Sequence, residues 1–114
     1  MDRYALFSLT NKTDSEIVAK KLSNLGVKIL ASSGTGAYLK SKGINFVPVE
    51  SLTQFPESFN GRMKTLSFQI SSGILFNRNL ESDKSEASSL KVPQIDYVVC
   101  NLYDYNSVAG EAFD

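Results

Sequence analysis

Histidine is absent from the 114-residue chain, and with it goes the side chain that most readily exchanges protons near neutral pH. Any proton transfer must fall to Lys, Tyr, Asp, Glu or water. Cysteine occurs once, so no internal disulfide can form. Cys100 lies in the apolar run Val98-Val99-Cys100, where a small buried thiol is expected rather than a nucleophile. Neither sign of charge is in excess. Lys plus Arg and Asp plus Glu stand at 12 each, so no overall field draws the chain to nucleic acid or to an anionic membrane surface. Any anion site must therefore be local. Long apolar runs are missing too: none approaches the ~20 residues of a membrane span. Met1-Asp2-Arg3 leads directly into a strand-like stretch without the apolar segment of a signal peptide. The expected setting is cytoplasmic, with neither membrane nor nucleic acid as partner.

What is present suits one domain, 1–114, around one hydrophobic core. Tyr4-Ala5-Leu6-Phe7-Ser8-Leu9 has no polar alternation, as expected of a central strand covered on both faces. Thr13 and Glu16 have the spacing of a capping box, opening a helix that places Val18, Leu22 and Leu25 on one face and stops at Gly26. Val27 to Ala31 is a second strand. Ser32-Ser33-Gly34-Thr35-Gly36 is a turn into a short helix that Gly43 closes, and Ile44 to Val49 is a third strand whose Pro48 marks the end of pairing. Periodicity then disappears. Glu50 to Leu66 predicts a long loop of the kind that often carries function. Ser67 to Leu75 suits helix or strand, with Ile74-Leu75-Phe76 expected to be buried, and Glu81 to Lys91 reads as a charged, solvated surface segment. Ile95 to Cys100 is the last clear strand. Strands joined by short helices predict an α/β fold in three layers, a mainly parallel central sheet with flanking helices.

In such a sheet, ligands bind beyond the carboxyl ends of the strands. Four segments fall there: Ser8–Lys12, Ser32–Gly36, the loop with Gly61-Arg62-Met63-Lys64-Thr65, and Asn101–Tyr105. A strand ending in Ser, Thr and Gly at a helix N-terminus offers unpaired N–H groups, hydroxyl donors and the positive end of the helix dipole. A phosphate is the anion this suits. Lys12, Arg62 and Lys64 would add three cations, each of which taken singly is equally a solvated surface charge. Tyr103 beside ammonium groups could form an acid–base pair with Lys64 without histidine, although Tyr103 and Tyr105 also suit packing at the rim.

At the same four segments the sequence resembles the methylglyoxal-synthase-like domain family, which is Rossmann-like. Within it the likeness is to the IMP cyclohydrolase domains at the N-terminus of bifunctional purine biosynthesis (PurH) proteins. Those typically show Ser-Val-Ser-Asp-Lys after the first strand, Ser-Thr-Gly-Gly-Thr-Ala after the second, then Phe-Pro-Glu, Gly-Arg-Val-Lys-Thr-Leu-His-Pro and Asn-Leu-Tyr-Pro-Phe. Here stand Ser8-Leu9-Thr10-Asn11-Lys12, Ala31-Ser32-Ser33-Gly34-Thr35-Gly36, Phe55-Pro56-Glu57, Gly61-Arg62-Met63-Lys64-Thr65-Leu66 and Asn101-Leu102-Tyr103-Asp104-Tyr105. The Phe-Pro-Glu and Gly-Arg-x-Lys-Thr-Leu pair is the specific part.

The resemblance implies a purine ribonucleotide substrate: formylated aminoimidazole carboxamide ribonucleotide would lose water to give inosine monophosphate. It places the 5′-phosphate on Ser8, Lys12, Ser33, Gly34 and Thr35, with Arg62, Thr65 and Asn101 also lining the substrate. Lys64 and Tyr103 would be catalytic, assisting the formyl oxygen as it departs as water. No metal or organic cofactor is implied. A homodimer is, and so is a formyltransferase domain in a longer parent chain of which this would be the N-terminal part. There are departures. Ser67-Phe68-Gln69-Ile70-Ser71-Ser72-Gly73 stands where the family has His-Pro-Lys-Ile-His-Gly-Gly, Asp104 replaces a Pro and Asn11 an Asp. The chain also stops at Asp114, before further helices that carry an Asp and a Lys of the family's site. Two functions of different class therefore stand side by side: a cyclohydrolase domain, and a nucleotide- or phosphate-sensing module of the same fold without catalysis.

Overall fold

The computed structural model describes residues 2–53 and 68–101. Its strands are β1 (Arg3–Ser8), β2 (Lys28–Ala31), β3 (Val47–Pro48) and β4 (Gln94–Cys100). Its helices are α1 (Ser15–Asn24), α2 (Ser33–Ser41), α3 (Val49–Thr53), α4 (Phe68–Leu75) and α5 (Glu81–Ser89). The strands form one sheet in the order β3-β2-β1-β4, and every pairing is parallel. As the absence of alternation in Tyr4–Leu9 predicts, β1 is internal. Its side chains divide by parity: Ala5 and Phe7 enter one buried cluster with Ala19, Leu22, Ile29 and Leu39, while Leu6 joins Leu30, Val49, Ile70 and Ile95 in a second. One cluster lies under α1 and α2 and the other under α3 and α4, giving three layers with the sheet between them.

Glycine ends the first two helices in the same way. Gly26 and Gly43 take φ of 82° and 80°, the left-handed conformation that costs a residue without Cβ least. Val27 N–H then reaches back to Leu22 O at 3.1 Å, and Ile44 N–H to Leu39 O at 2.9 Å. The second of these bonds uses a backbone donor that a longer β3 would need. This accounts for a third strand of two residues where Ile44–Val49 is expected; Ile44 still packs into the first cluster.

Several other expectations are corrected. The Thr13–Glu16 capping box does not form. Asp14 is the N-cap, at φ 64° with no side-chain cap bond, and Glu16 instead accepts a 2.7 Å hydrogen bond from Tyr38 Oη. The buried stripe of α1 is Ser15, Ala19 and Leu22, leaving Val18 at 43% and Leu25 at 68% exposure. Small side chains at Ser15 and Ala19 let the helix backbone approach the sheet, which turns the larger residues outward. Helix α3 occupies the start of the stretch expected to be loop; the remainder, including Phe55-Pro56-Glu57, lies outside the described residues. The ambiguous segment is helical, but Ile70 and Gly73 face inward while Leu75 is 83% exposed. Cys100 is exposed, because β4 has a strand neighbour on one side only among the described residues. Among those residues no helix is long and apolar enough to cross a membrane.

The return from α4 to β4 is locked by Arg78. Its guanidinium donates to Phe76 O at 2.7 Å, Gly73 O at 2.8 Å and Ile95 O at 2.6 Å, and lies against the Asp96 carboxylate at 3.3 Å. It thereby serves carbonyls that the end of α4 leaves unpaired, with a charge of the sign the helix dipole favours there. Burial pushes the Asp96 carboxyl up, but hydrogen bonds from Arg3, Gln94 and Arg78 outweigh it and hold the group below its ordinary value of 3.8.

Two outcomes follow for stability. A Cβ at Gly73 would stand 2.5 Å from Pro93 O and 3.0 Å from Ile95 Cδ1, so Gly73→Ala should lower unfolding free energy in urea by about 1–3 kcal/mol despite its better helix propensity. Arg78→Met should cost about 2–3 kcal/mol by orphaning carbonyls and a half-buried carboxylate. Because the folded value of Asp96 is depressed, its contribution is fully present above pH 3.8 and drains as pH falls below it. The Arg78→Met variant should therefore lose less stability than the parent over that acid range, read from urea midpoints as a function of pH.

Candidate functional site

The parallel register sets the carboxyl ends of the strands side by side: Phe7 pairs with Ala31, Ala31 with Pro48, and Ser8 with Cys100. The chain steps outward from β1 to β2 to β3, then returns to the other side of β1 as β4. The direction of winding thus reverses between β1 and β4. At such a reversal the loops leaving adjacent strands part in opposite directions and open a crevice. Three described segments lie at this edge of the sheet: 9–14, Ser32–Thr35 and Asn101.

The turn after β2 is more ordered than its sequence suggests. Ser32 is extended, at φ −75° and ψ 169°, and helix α2 begins at Ser33, so Ser33, Gly34 and Thr35 form its first turn rather than a preceding loop. Gly36 N–H closes that turn on Ser32 O at 2.7 Å. A Cβ at Gly36 would overlap the Phe46 ring, which explains a glycine inside the helix. Helix geometry leaves the first N–H groups without intrahelical acceptors, with the positive dipole end behind them. Ser32 and Thr35 are each 1% exposed, and among the described residues neither Ser32 Oγ nor Thr35 Oγ1 has a hydrogen-bond partner. An unsatisfied buried hydroxyl costs about 1–3 kcal/mol. Two such hydroxyls lie at one helix start.

Lys12 reaches the same place from the loop after β1. An ideal Cβ on Gly34 would lie 3.9 Å from Lys12 Cε, so the lysine stem crosses the glycine with no side chain between them. Lys12 Nζ donates to Leu9 O at 3.1 Å, leaving further ammonium protons for an anion. The loop is held at both ends. Lys12 O accepts from Ser15 N–H at 3.1 Å and Ser15 Oγ at 2.7 Å. From the exit of β4, Asn101 Oδ1 accepts from Thr10 N–H at 2.9 Å and Thr10 Oγ1 at 2.8 Å, while its Nδ2 donates to Asn11 O at 2.7 Å.

Of the residues expected in the site, Lys12, Ser33, Gly34 and Thr35 come together at the start of α2. Ser8 ends β1 at this edge, and Asn101 ties the exit of β4 to the Lys12 loop. Arg62, Lys64, Thr65 and Tyr103 lie outside the described residues. Sequence reasoning missed the pairing of Asn101 with Thr10 and Asn11, which joins segments 91 and 90 residues apart. It also missed the burial of Ser32 and Thr35. A possible signal for the latter was the small-residue run itself, since only small side chains let a helix start lie so close to its own sheet.

A sequence model of the MGS-like domain matches residues 16–113. A protein of Clostridioides difficile (strain 630) described as bifunctional purine biosynthesis protein PurH is 40% identical over 116 residues, covering 100% of this chain and 23% of that protein. The protein of the same description from Anaeromyxobacter sp. (strain Fw109-5) is 42% identical, covering 99% of this chain and 22% of its own length. That of Aquifex aeolicus (strain VF5) is 41% identical over 107 residues, covering 94% and 21%. The chain thus spans between a fifth and a quarter of the curated relatives it matches. Among solved structures, the crystal structure of ForH superimposes with a TM-score of 0.78 at 32% identity, covering 90% of this chain and 54% of that one. With the parallel sheet, the helix start after β2 and the family model agreeing over most of its length, this chain belongs to the MGS-like domain family.

Proposed function

We propose that this chain is a domain of purine nucleotide biosynthesis that binds the 5′-phosphate of a purine ribonucleotide at the start of α2. We further propose that, within a longer bifunctional parent, it takes part in the IMP cyclohydrolase reaction. The observation that carries the reading is the Lys12 stem lying across Gly34, in a helix turn whose two buried hydroxyls have no partner among the described residues. A phosphate monoester would supply oxygens to backbone N–H groups of the first turn of α2, to Ser32 and Thr35, and to the lysine ammonium at once. The description of the relatives as bifunctional purine biosynthesis proteins supports the pathway.

In the proposed reaction the carboxamide nitrogen attacks the formyl carbon of the same molecule, a C–N bond closes the six-membered ring, and the former formyl oxygen leaves as water. The barrier for such a closure is largely one of folding two groups of one substrate together, so anchoring the remote phosphate contributes directly. Arg62 and Thr65 are assigned to the base and formyl side, and Asn101 to holding the loop that presents Lys12. Lys64 and Tyr103 are assigned to protonating the departing oxygen, a role the absence of histidine leaves to an ammonium or a phenol. The parent is proposed to carry a formyltransferase domain and to work as a homodimer. One observation favours a second reading, a nucleotide-sensing module: Ser67 and Ser71 stand where the cyclohydrolase domains carry histidines.

Calorimetry with inosine monophosphate and with inosine tests the pocket. The nucleotide should bind at least about tenfold more tightly than the nucleoside, and Lys12→Ala should remove most of that preference, as expected for a charge-assisted hydrogen bond. Equal affinity of the unaltered chain for the two would defeat the reading. In the longer parent protein, Lys64→Ala should slow ring closure by about 10²–10⁴-fold, measured by the absorbance change on forming inosine monophosphate. Phosphate-dependent binding with ring closure unaffected by Lys64→Ala would instead support the sensing module.

A further inference from the structure

We infer that Tyr38 is a positioning residue: from the helix that carries Ser33, Gly34 and Thr35, its hydroxyl holds the first turn of α1, and through that turn the Lys12 loop, against the start of its own helix. The inference rests on the phosphate reading above only for its consequence in binding; the clamp is a matter of geometry. Tyr38 Oη donates to Glu16 Oε1 at 2.7 Å, a half-buried bond between residues 22 apart. Glu16 stands directly after Ser15, whose N–H and hydroxyl both bond Lys12 O. Between Lys12 and Ser15 the backbone passes through Asp14 at φ 64°, a conformation uncommon for a residue with a Cβ, though less so for Asp. Helix α1 has no side-chain cap bond at this end that would impose it.

The linkage is therefore continuous from α2 through Tyr38, Glu16 and Ser15 to Lys12. Tyr38 follows Thr35 by three residues, about one turn, so the clamp and the helix start move as one rigid piece. Half of the site thus fixes the other half. The bond also favours the protonated phenol and the ionised carboxylate. The hydrogen bond to Glu16, reinforced by burial, raises the phenol above its ordinary value, and the same bond holds the Glu16 carboxyl below its own. Donor and acceptor consequently keep their roles through the neutral range. Lys42, with Nζ 5.7 Å from the centre of the Tyr38 ring, covers the other side of the phenol.

Limited trypsin digestion of the whole ligand-free chain, with cleavage after Lys12 and after Lys91 followed separately by mass spectrometry, tests the clamp. Tyr38→Phe removes only the hydroxyl, and should speed cleavage after Lys12 by about tenfold, the worth of one hydrogen bond to a charged acceptor expressed as a local opening equilibrium. Cleavage after Lys91, beyond α5, should stay unchanged. Glu16→Ala should act alike, and the double variant should add little to either single one. Equal acceleration at both sites, no acceleration at Lys12, or fully additive effects would each overturn the inference.

Calorimetry on the same proteins reads the consequence. Tyr38→Phe should weaken inosine monophosphate about three- to tenfold by lowering the population of the binding-competent loop, and leave inosine unchanged. Faster cleavage with undiminished nucleotide affinity would overturn the positioning role. Should the unaltered chain bind nucleotide and nucleoside equally, the phosphate reading fails while the digestion result still decides the clamp.

Discussion

The parallel pairing of β1 with both β2 and β4 is the constraint on which the rest of this structure depends. A parallel strand cannot turn back on its neighbour through a tight hairpin; each connection must cross the sheet and return to the same end. That requirement puts α1 and α2 on one face and the later helices on the other. It also aligns the carboxyl ends of the strands along one edge. The candidate site lies on that edge, where the loop after β1 meets the start of α2.

The chemistry at the edge comes mainly from backbone. Helix α2 starts almost at the last paired residue of β2, so the N–H groups of its first turn lie beside the mouth of the sheet. Glycines at 34 and 36 serve two different neighbours: the first lets the Lys12 stem cross, and the second admits the Phe46 ring beneath. With zero net charge overall, the anion binding proposed here would rest on the local convergence of a helix dipole, a lysine and two hydroxyls rather than on a general field. Such a site discriminates by geometry, since a doubly charged ester oxygen cluster can meet all these donors together and a single hydroxyl cannot.

Elsewhere the structure uses polar groups to close connections. Arg78 performs for the return to β4 what Gly26 and Gly43 do for the first two helices: it deals with carbonyls at the end of a helix. The difference is that a glycine redirects the backbone to satisfy itself, whereas Arg78 supplies donors from outside and so also fixes α4 against β4. Asn101 does the same for the loop after β1. Arg78 ties a connection to the strand it enters, and Asn101 ties the loop after β1 to the exit of the neighbouring strand β4. The two ends of the β1–α1 segment are thereby fixed independently, by Asn101 at Thr10 and Asn11 and by Tyr38 at Glu16.

Much of this was open to reading in the amino acids themselves, and the reasons are local. Unbroken apolar runs at Tyr4–Leu9 and Val27–Ala31 suit strands covered on both faces, and glycines at 26 and 43 stop helices. Runs of this kind determined the fold class. What periodicity could not determine was which of several eligible surfaces would be covered. Val18 and Leu25 are as apolar as Leu22, but the sheet accepts the stripe whose small members, Ser15 and Ala19, allow the helix to come close. Cys100 lies in an apolar run, yet it is exposed because of where its strand falls in the sheet order. Glu16 has the spacing to cap its own helix, and was claimed by a tyrosine on another. A side chain's nearest partner in space is set by how the layers stack, and no window of neighbouring residues contains that information.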